Sequence, residues 1–202
     1  IADALVDKIK TRIPNIKVGP GTDPSAEMGP LITREHRDKV SGYVKNASKE
    51  GAKVIVDGTA KEKDPGFFLN PSLIDAAKPG MKCYDDEIFG PVLTVVRVKS
   101  YEEGLKLIND NQFGNGTAIF TNDGGAARRF QYEVNVGMVG INVPIPVPTA
   151  YYSFGGWKSS LFGDTHAHGT EGIHFFTRGK VVTSRWLDPS HGGINLGFPQ
   201  NR

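Results

Sequence analysis

Four places in this sequence carry residue types that could do chemistry. The first is "DDEIFGPV", residues 85 to 92, where Glu87 stands two positions before Phe89 and a Gly-Pro turn opens a run of β-formers. A carboxylate can accept two hydrogen bonds from a vicinal diol, as in ribose recognition. An aromatic ring beside it can lie against a flat heterocycle. The same pair also fits a plainer reading, in which Glu87 is a surface charge and Phe89 packs into the core where a strand begins. On the residues alone both readings stay open. The second place is Cys83, the single cysteine. A reactive thiolate needs a cationic neighbour or a helix N-terminus. Lys82 is adjacent, but three acids follow and oppose ionisation, so an inert thiol is expected. Third, His166 and His168 alternate in "THAHG", with no Cys, His or Asp set to complete four-ligand metal spacing. Fourth, Asp85, Asp86 and Glu87 have the chemistry of a calcium site but are expected to form a solvated turn. The phosphate loop G-x-x-x-x-G-K-[ST], a G-x-G-x-x-G after a strand and a G-x-S-x-G elbow are all absent from the sequence.

These residues need elements to hold them. The chain has 202 residues, 38% hydrophobic and 23% charged, which suits a globular fold with a real core. A net charge of +2 with interspersed signs gives no basic stripe for nucleic acid. No apolar run reaches the roughly 18 residues of a membrane span. One cysteine permits no internal disulfide, and a cytoplasmic compartment is expected (mitochondrial in a eukaryote).

"IADALVDKIK" starts in helical register, with Ala2, Leu5, Val6 and Ile9 in step, and so suggests a piece of something longer. That helix ends before Pro14. A Gly/Pro-punctuated loop precedes a second helix, about Thr33 to Glu50, with Val40, Tyr43, Val44 and Ala47 on one face. "KVIVDG" and "FFLNPSLIDA" predict strands. "PVLTVVRV", 91–98, predicts a strand with Pro91 first. Ser100 and Glu103 predict a capping box on "YEEGLKLIND". "GTAIFT", a helix capped by Asp123, and "VGMVGINV" complete a β-α-β-α-β run. The fold class expected is α/β, an open, mostly parallel sheet with flanking helices. Beyond Val143, "PIPVPTAYYSFGGWKSS" is a long aromatic-rich loop, of the kind that is usually functional. "IHFFTRGKVVTSRW" predicts one or two strands, and residues 187–202 a tail.

"EIFGPVLTVVRV", "FGNGTAIFT", "AARRFQYEVNVGMVGIN" and "SFGGWKSS", in this order, closely resemble the C-terminal part of NAD(P)-dependent aldehyde dehydrogenases, from residue 1 to about Trp186. "GINVPIPVP", "SFGGWKSSLFGD", "HGTEGI" and "FFTRGKVVTSRW" resemble the CoA-acylating branch acting on methylmalonate and malonate semialdehydes, a branch of valine catabolism. The resemblance implies a C-terminal catalytic-domain part at 1–170, an oligomerisation strand segment at 171–186 and a tail at 187–202. It implies NAD as cofactor and coenzyme A as co-substrate. It assigns Glu87 to the nicotinamide ribose and Phe89 to the nicotinamide side. Phe154 falls in the aldehyde tunnel, with Asn142 in the nearby loop wall. Dimers or tetramers through the C-terminal strands are implied, with a small aldehyde as substrate and no nucleic acid or membrane partner.

The family's nucleophilic cysteine and general-base glutamate belong to segments upstream of the matched region. No catalytic residue is therefore assigned within this chain, which alone is expected to be inactive, and Cys83 does not match the nucleophile. Hydrolytic members carry Gly-Arg-Glu where this sequence has Gly163, Asp164 and Thr165. The missing glutamate agrees with CoA, rather than water, taking the acyl group. A hydrolytic aldehyde dehydrogenase and a non-catalytic assembly module are the other readings.

Overall fold

The computed structural model describes residues 1–61, 66–184 and 186. The chain divides into two compact units, Ile1–Asn111 and Gln112–Arg202.

The first unit is a three-layer sandwich around one short strand. Helix α1 (Ala2–Arg12) carries Asp3 in its first turn and Lys10 and Arg12 in its last, the charge order that suits the helix dipole. Pro14 converts its end to a single 3-10 turn, Ile13–Asn15. Helix α2 (Arg34–Ala47) is capped by Thr33, whose side chain accepts from the His36 N–H at 3.1 Å. Strands β1 (Lys53–Val56), β2 (Ser72–Asp75) and β3 (Val92–Thr94) form a sheet in that order, antiparallel between β1 and β2 and parallel between β2 and β3. β2 is buried at every position, as a strand covered on both faces must be. Leu73 faces Val6 and Ile13 of the α1 layer, with Ile9, Ile55, Val56 and Val95 around them. Ile74 faces the other way, onto Ala47, Ala52, Ala77 and Cys83. The four-residue helix α3 (Lys82–Asp85) closes that second face.

The strand expected over 91–98 is paired in register only at Val92–Thr94. Ala76 adopts φ +57°, which breaks the regular ladder at the end of β2, although Val95 still donates to the Ile74 carbonyl at 2.8 Å and accepts from the Ala77 N–H at 3.1 Å. Beyond it Arg97 turns to the carboxylate of Asp75, with Nη2 to Oδ2 at 2.8 Å and Nε to Oδ1 at 3.0 Å, while its Nη1 donates to Asp3 Oδ1 at 2.6 Å. Helix α4 (Tyr101–Asp110) follows. Its cap differs from the expected box by one residue: Ser100 accepts from the Glu103 N–H at 3.2 Å, but Glu103 reaches back to the Lys99 N–H at 2.7 Å.

The guanidinium beside Asp75 holds its carboxyl below the usual carboxylate range. A depressed folded value means that this contribution to stability is complete above the unfolded value, about 4, and is lost as pH falls through the folded value. Asp75→Asn should therefore lower the unfolding temperature at pH 7, and the gap to the unmodified chain should narrow steadily below about pH 4. Thermal unfolding followed by circular dichroism across that range checks it.

In the second unit, β5 (Gly116–Ile119), α5 (Gly124–Glu133) and β6 (Met138–Ile141) form a parallel βαβ element. Asp123 caps α5 through the N–H groups of Gly125 and Ala126. A two-residue strand β4 (Phe113–Gly114) pairs antiparallel with β7 (Trp157–Lys158). The expected single open sheet is thus replaced, among the described residues, by three small sheets, with β3 and β5 in different ones. The α/β class and the short crossovers hold. What differs is long-range pairing, which local periodicity does not encode. The C-terminal segment also differs. Ile173–Phe176, expected as strand, ends helix α6 (Gly169–Phe176). An apolar run this short does not distinguish the two states by period. Residues 177–184 form no strand among the described residues, and the expected tail at 187–202 lies outside them.

Candidate functional site

The turn bearing Glu87 and Phe89 is held by one face of α2. His36, Val40 and Tyr43 are spaced i, i+4 and i+7 and so share that face. Tyr43 donates its hydroxyl to Asp86 Oδ2 at 2.8 Å. That hydrogen bond raises the Tyr43 pKa, with burial and the carboxylate's charge adding to it. His36 Nε2 lies 2.8 Å from the carbonyl oxygen of Phe89. A carbonyl only accepts, so the ring nitrogen is the donor. Val40, fully buried, lies so close to Gly90 that a Cβ there would meet its methyls at 2.7 and 2.8 Å. Gly90 is therefore glycine for close approach.

Ile88 is the residue of this turn that packs against the core, beside Met81 and Val92. Glu87 and Phe89 flank it and are both exposed, Phe89 at 74%. The plainer reading of Phe89 as a core plug is thereby excluded. Phe89 also sits at φ +54°, a region costing a bulky residue about 1–3 kcal/mol and kept only where neighbours impose it. The fold spends strain to present this ring outward. Glu87 has no hydrogen-bonded partner among the described residues, so both carboxylate oxygens are available to a diol.

The second unit places Phe154 and Asn142 in different roles. Phe154 is 37% exposed and its ring lies 5.7 Å from that of His168. It lines a cavity of about 370 Å³ with Leu161, Phe162, His166, Phe175 and Phe176. The glycines after it allow backbone to touch backbone. A Cβ on Gly137 would sit 2.2 Å from the Gly155 carbonyl oxygen, and one on Gly156 would sit 2.8 Å from the Asn115 Cα. Asn142, at φ +57°, uses its amide at the sheet end, its Oδ1 accepting from the Thr121 N–H at 2.9 Å and its Nδ2 donating to the Thr121 carbonyl at 3.0 Å. Its side chain thus extends the β5–β6 ladder by one rung.

The remaining candidates have other occupations. Cys83 is 4% exposed, and burial first, then the charges of Glu50 and Asp85, push its thiol up. That environment opposes a thiolate. Asp85 accepts from the Gly80 N–H and Asp86 from Tyr43, so the acids of this turn diverge. His166 Nδ1 is hydrogen-bonded to Ser153 Oγ at 2.5 Å. Among the described residues no group of three His, Cys, Asp or Glu is placed to hold a metal, and no helix is long and apolar enough to cross a membrane. Sequence periodicity missed His36, because a polar residue on an otherwise apolar face does not register in a hydrophobic pattern.

Comparison with known proteins places this geometry. The sequence pattern of the aldehyde dehydrogenase family matches residues 1–182. A malonate-semialdehyde dehydrogenase of Pseudomonas aeruginosa is 52% identical over 98% of this chain and 41% of its own length. The crystal structure of methylmalonate-semialdehyde dehydrogenase from Oceanimonas doudoroffii superposes with a TM-score of 0.89 at 50% identity, over 93% of this chain and 39% of that one. A betaine aldehyde dehydrogenase of Staphylococcus aureus, solved in complex with NAD+, superposes at 0.79 with 34% identity, over 86% of this chain and 34% of that one. The chain spans about two-fifths of the length of the first two of these relatives. On the family match and these identities, the chain belongs to the aldehyde dehydrogenase family.

Proposed function

We propose that this chain is the C-terminal portion of an NAD-dependent, CoA-acylating semialdehyde dehydrogenase. In the whole protein, methylmalonate or malonate semialdehyde, NAD and coenzyme A would give propionyl-CoA or acetyl-CoA, CO2 and NADH. The observation that carries this reading is the turn at 85–91, where Glu87 and Phe89 point outward from a backbone fixed by α2. The names of the relatives at 50% and 52% identity support the substrate class. Gly163, Asp164 and Thr165, in place of the hydrolytic members' Gly-Arg-Glu, support CoA as the acyl acceptor.

The roles follow from the side chains. Glu87 accepts both hydroxyls of the nicotinamide ribose, a charge-assisted contact that fixes the sugar. Phe89 lies against the nicotinamide and limits its tilt. NAD, when bound, supplies the hydride acceptor. Holding its ring in a near-attack geometry is the contribution of this chain. Phe154 lines the aldehyde path and Asn142 stiffens the loop beside it. The nucleophile and base come from the upstream part of the whole protein, so this portion alone does not turn over. Residues 171–186 serve assembly into dimers or tetramers.

The test is Glu87→Gln in a protein of the relatives' full length carrying this segment. Loss of a charge-assisted bond should weaken NAD binding or slow hydride transfer about 10- to 100-fold in single-turnover measurements. Unchanged affinity and rate would remove the ribose role. In the same protein NADH formation should require CoA, and CoA-independent release of the free acid would overturn the acylating assignment.

A further inference from the structure

We infer that His36 is a positioning residue for the nicotinamide half-site, acting through the carbonyl of Phe89; the inference rests on the proposed role of Glu87 and Phe89. Three observations carry it. Phe89 sits at φ +54°, a conformation a phenylalanine does not hold unaided. Its carbonyl meets His36 Nε2 at 2.8 Å, across 53 residues of sequence. The residue after it, Gly90, is pressed against Val40, one turn along the same helix. The hydrogen bond and the close approach act on the two ends of one peptide unit. Together they fix the plane of that peptide and so the direction in which the Phe89 side chain leaves the backbone.

α2 is itself fixed. Val40, Val44 and Ala47 are buried, and Thr33 caps its start. His36 is in the first turn, so the Thr33 cap settles where its ring begins. Tyr43 holds Asp86, one residue before Glu87, from the same face. Glu87 and Phe89 thus lie between two polar tethers, with the half-buried Ile88 packed against the core between them. Of the two tethers His36 is the one bonded to Phe89 itself, and its hydrogen bond helps to hold that residue in the strained conformation.

The role needs a donor at a set reach and not a titrating group. A glutamine side chain places an N–H at comparable length, whereas phenylalanine keeps the bulk without a donor and asparagine keeps a donor that falls short. In a full-length protein carrying this segment, His36→Phe and His36→Asn should each raise the KM for NAD or slow single-turnover hydride transfer about five- to tenfold, the worth of one net hydrogen bond. His36→Gln should recover most of that loss, with the aldehyde KM unmoved in all three. Unfolding temperature measured on each variant separates positioning from folding. Equal impairment by Gln, Asn and Phe would overturn the inference, since it would show a need for the imidazole itself. So would normal kinetics in His36→Phe while Glu87→Gln is impaired, leaving the ribose role intact. Normal kinetics in Glu87→Gln as well would mean that the underlying reading had failed.

Discussion

Leu73→Ala should cost the first unit about 3–5 kcal/mol, the upper part of the range for a leucine truncated in a closed core. Leu73 has no exposed surface and sits on the central strand, so neither neighbour in the sheet can move in without breaking its own pairing. The wall opposite is Val6 and Ile13, with Ile9, Ile55, Val56 and Val95 around the rim. All six are β-branched residues with restricted χ1 rotamers, and Val6 and Ile9 are also carried on a helix. The cavity therefore collapses little. Urea unfolding should show a lower midpoint with the slope unchanged, the sign of lost stability rather than an altered unfolded state. Leu93→Ala, on the adjacent strand but 48% exposed, is the control and should cost less than about 1 kcal/mol. A Leu73→Ala loss as small as the control's would contradict the two-faced burial of β2.

Gly137→Ala should be the most damaging single change in the second unit, about 3 kcal/mol or more. Overpacking against side chains costs about 1–3 kcal/mol because side chains can rotate away. Here the added Cβ meets backbone, the Gly155 carbonyl oxygen at 2.2 Å and the Gly156 Cα at 2.8 Å. One segment must shift. Gly137 is tied by its own N–H to the Gly114 carbonyl at 2.9 Å, so the segment that yields is 154–156. Phe154 then moves with it. Thermal unfolding should show the loss, and hydrogen exchange should show the β4–β7 pairing that follows the displaced segment loosened. Gly124→Ala, at the open start of α5 with nothing within 4 Å, is the counterpart and should be neutral or stabilising by up to about 1 kcal/mol.

Much of this was legible in the sequence, and the parts that were not share a cause. Helices α1, α2, α4 and α5 followed from apolar period and caps, with Thr33, Ser100 and Asp123 at or beside the expected starts. The buried run around Leu73 and Ile74 was expected as a strand. The EIFGP turn was marked as chemical from its residue types, yet local physics favoured plain packing of Phe89 in the core. Only Ile88 between the two, taking the core position, decides that question. The unread features all join residues far apart: His36 with Phe89, Asp75 with Arg97, Gly137 with Gly155. None has a spacing that a local window can detect. The same holds for the division into small sheets, where β3 and β5 lie 22 residues apart and still take different partners. The C-terminal run at 173–176 failed for the opposite reason, being too short for its period to be measured.

Cys83 leaves one practical consequence. The chain's sole thiol is enclosed by its own fold and held in the protonated form. The native surface is consequently silent to maleimides and other thiol-directed reagents. A cysteine substituted at an exposed position would be the single addressable point on this chain, with no background to remove within it. The turn at 85–91 can thus carry a fluorophore or spin label without the native cysteine first being engineered away.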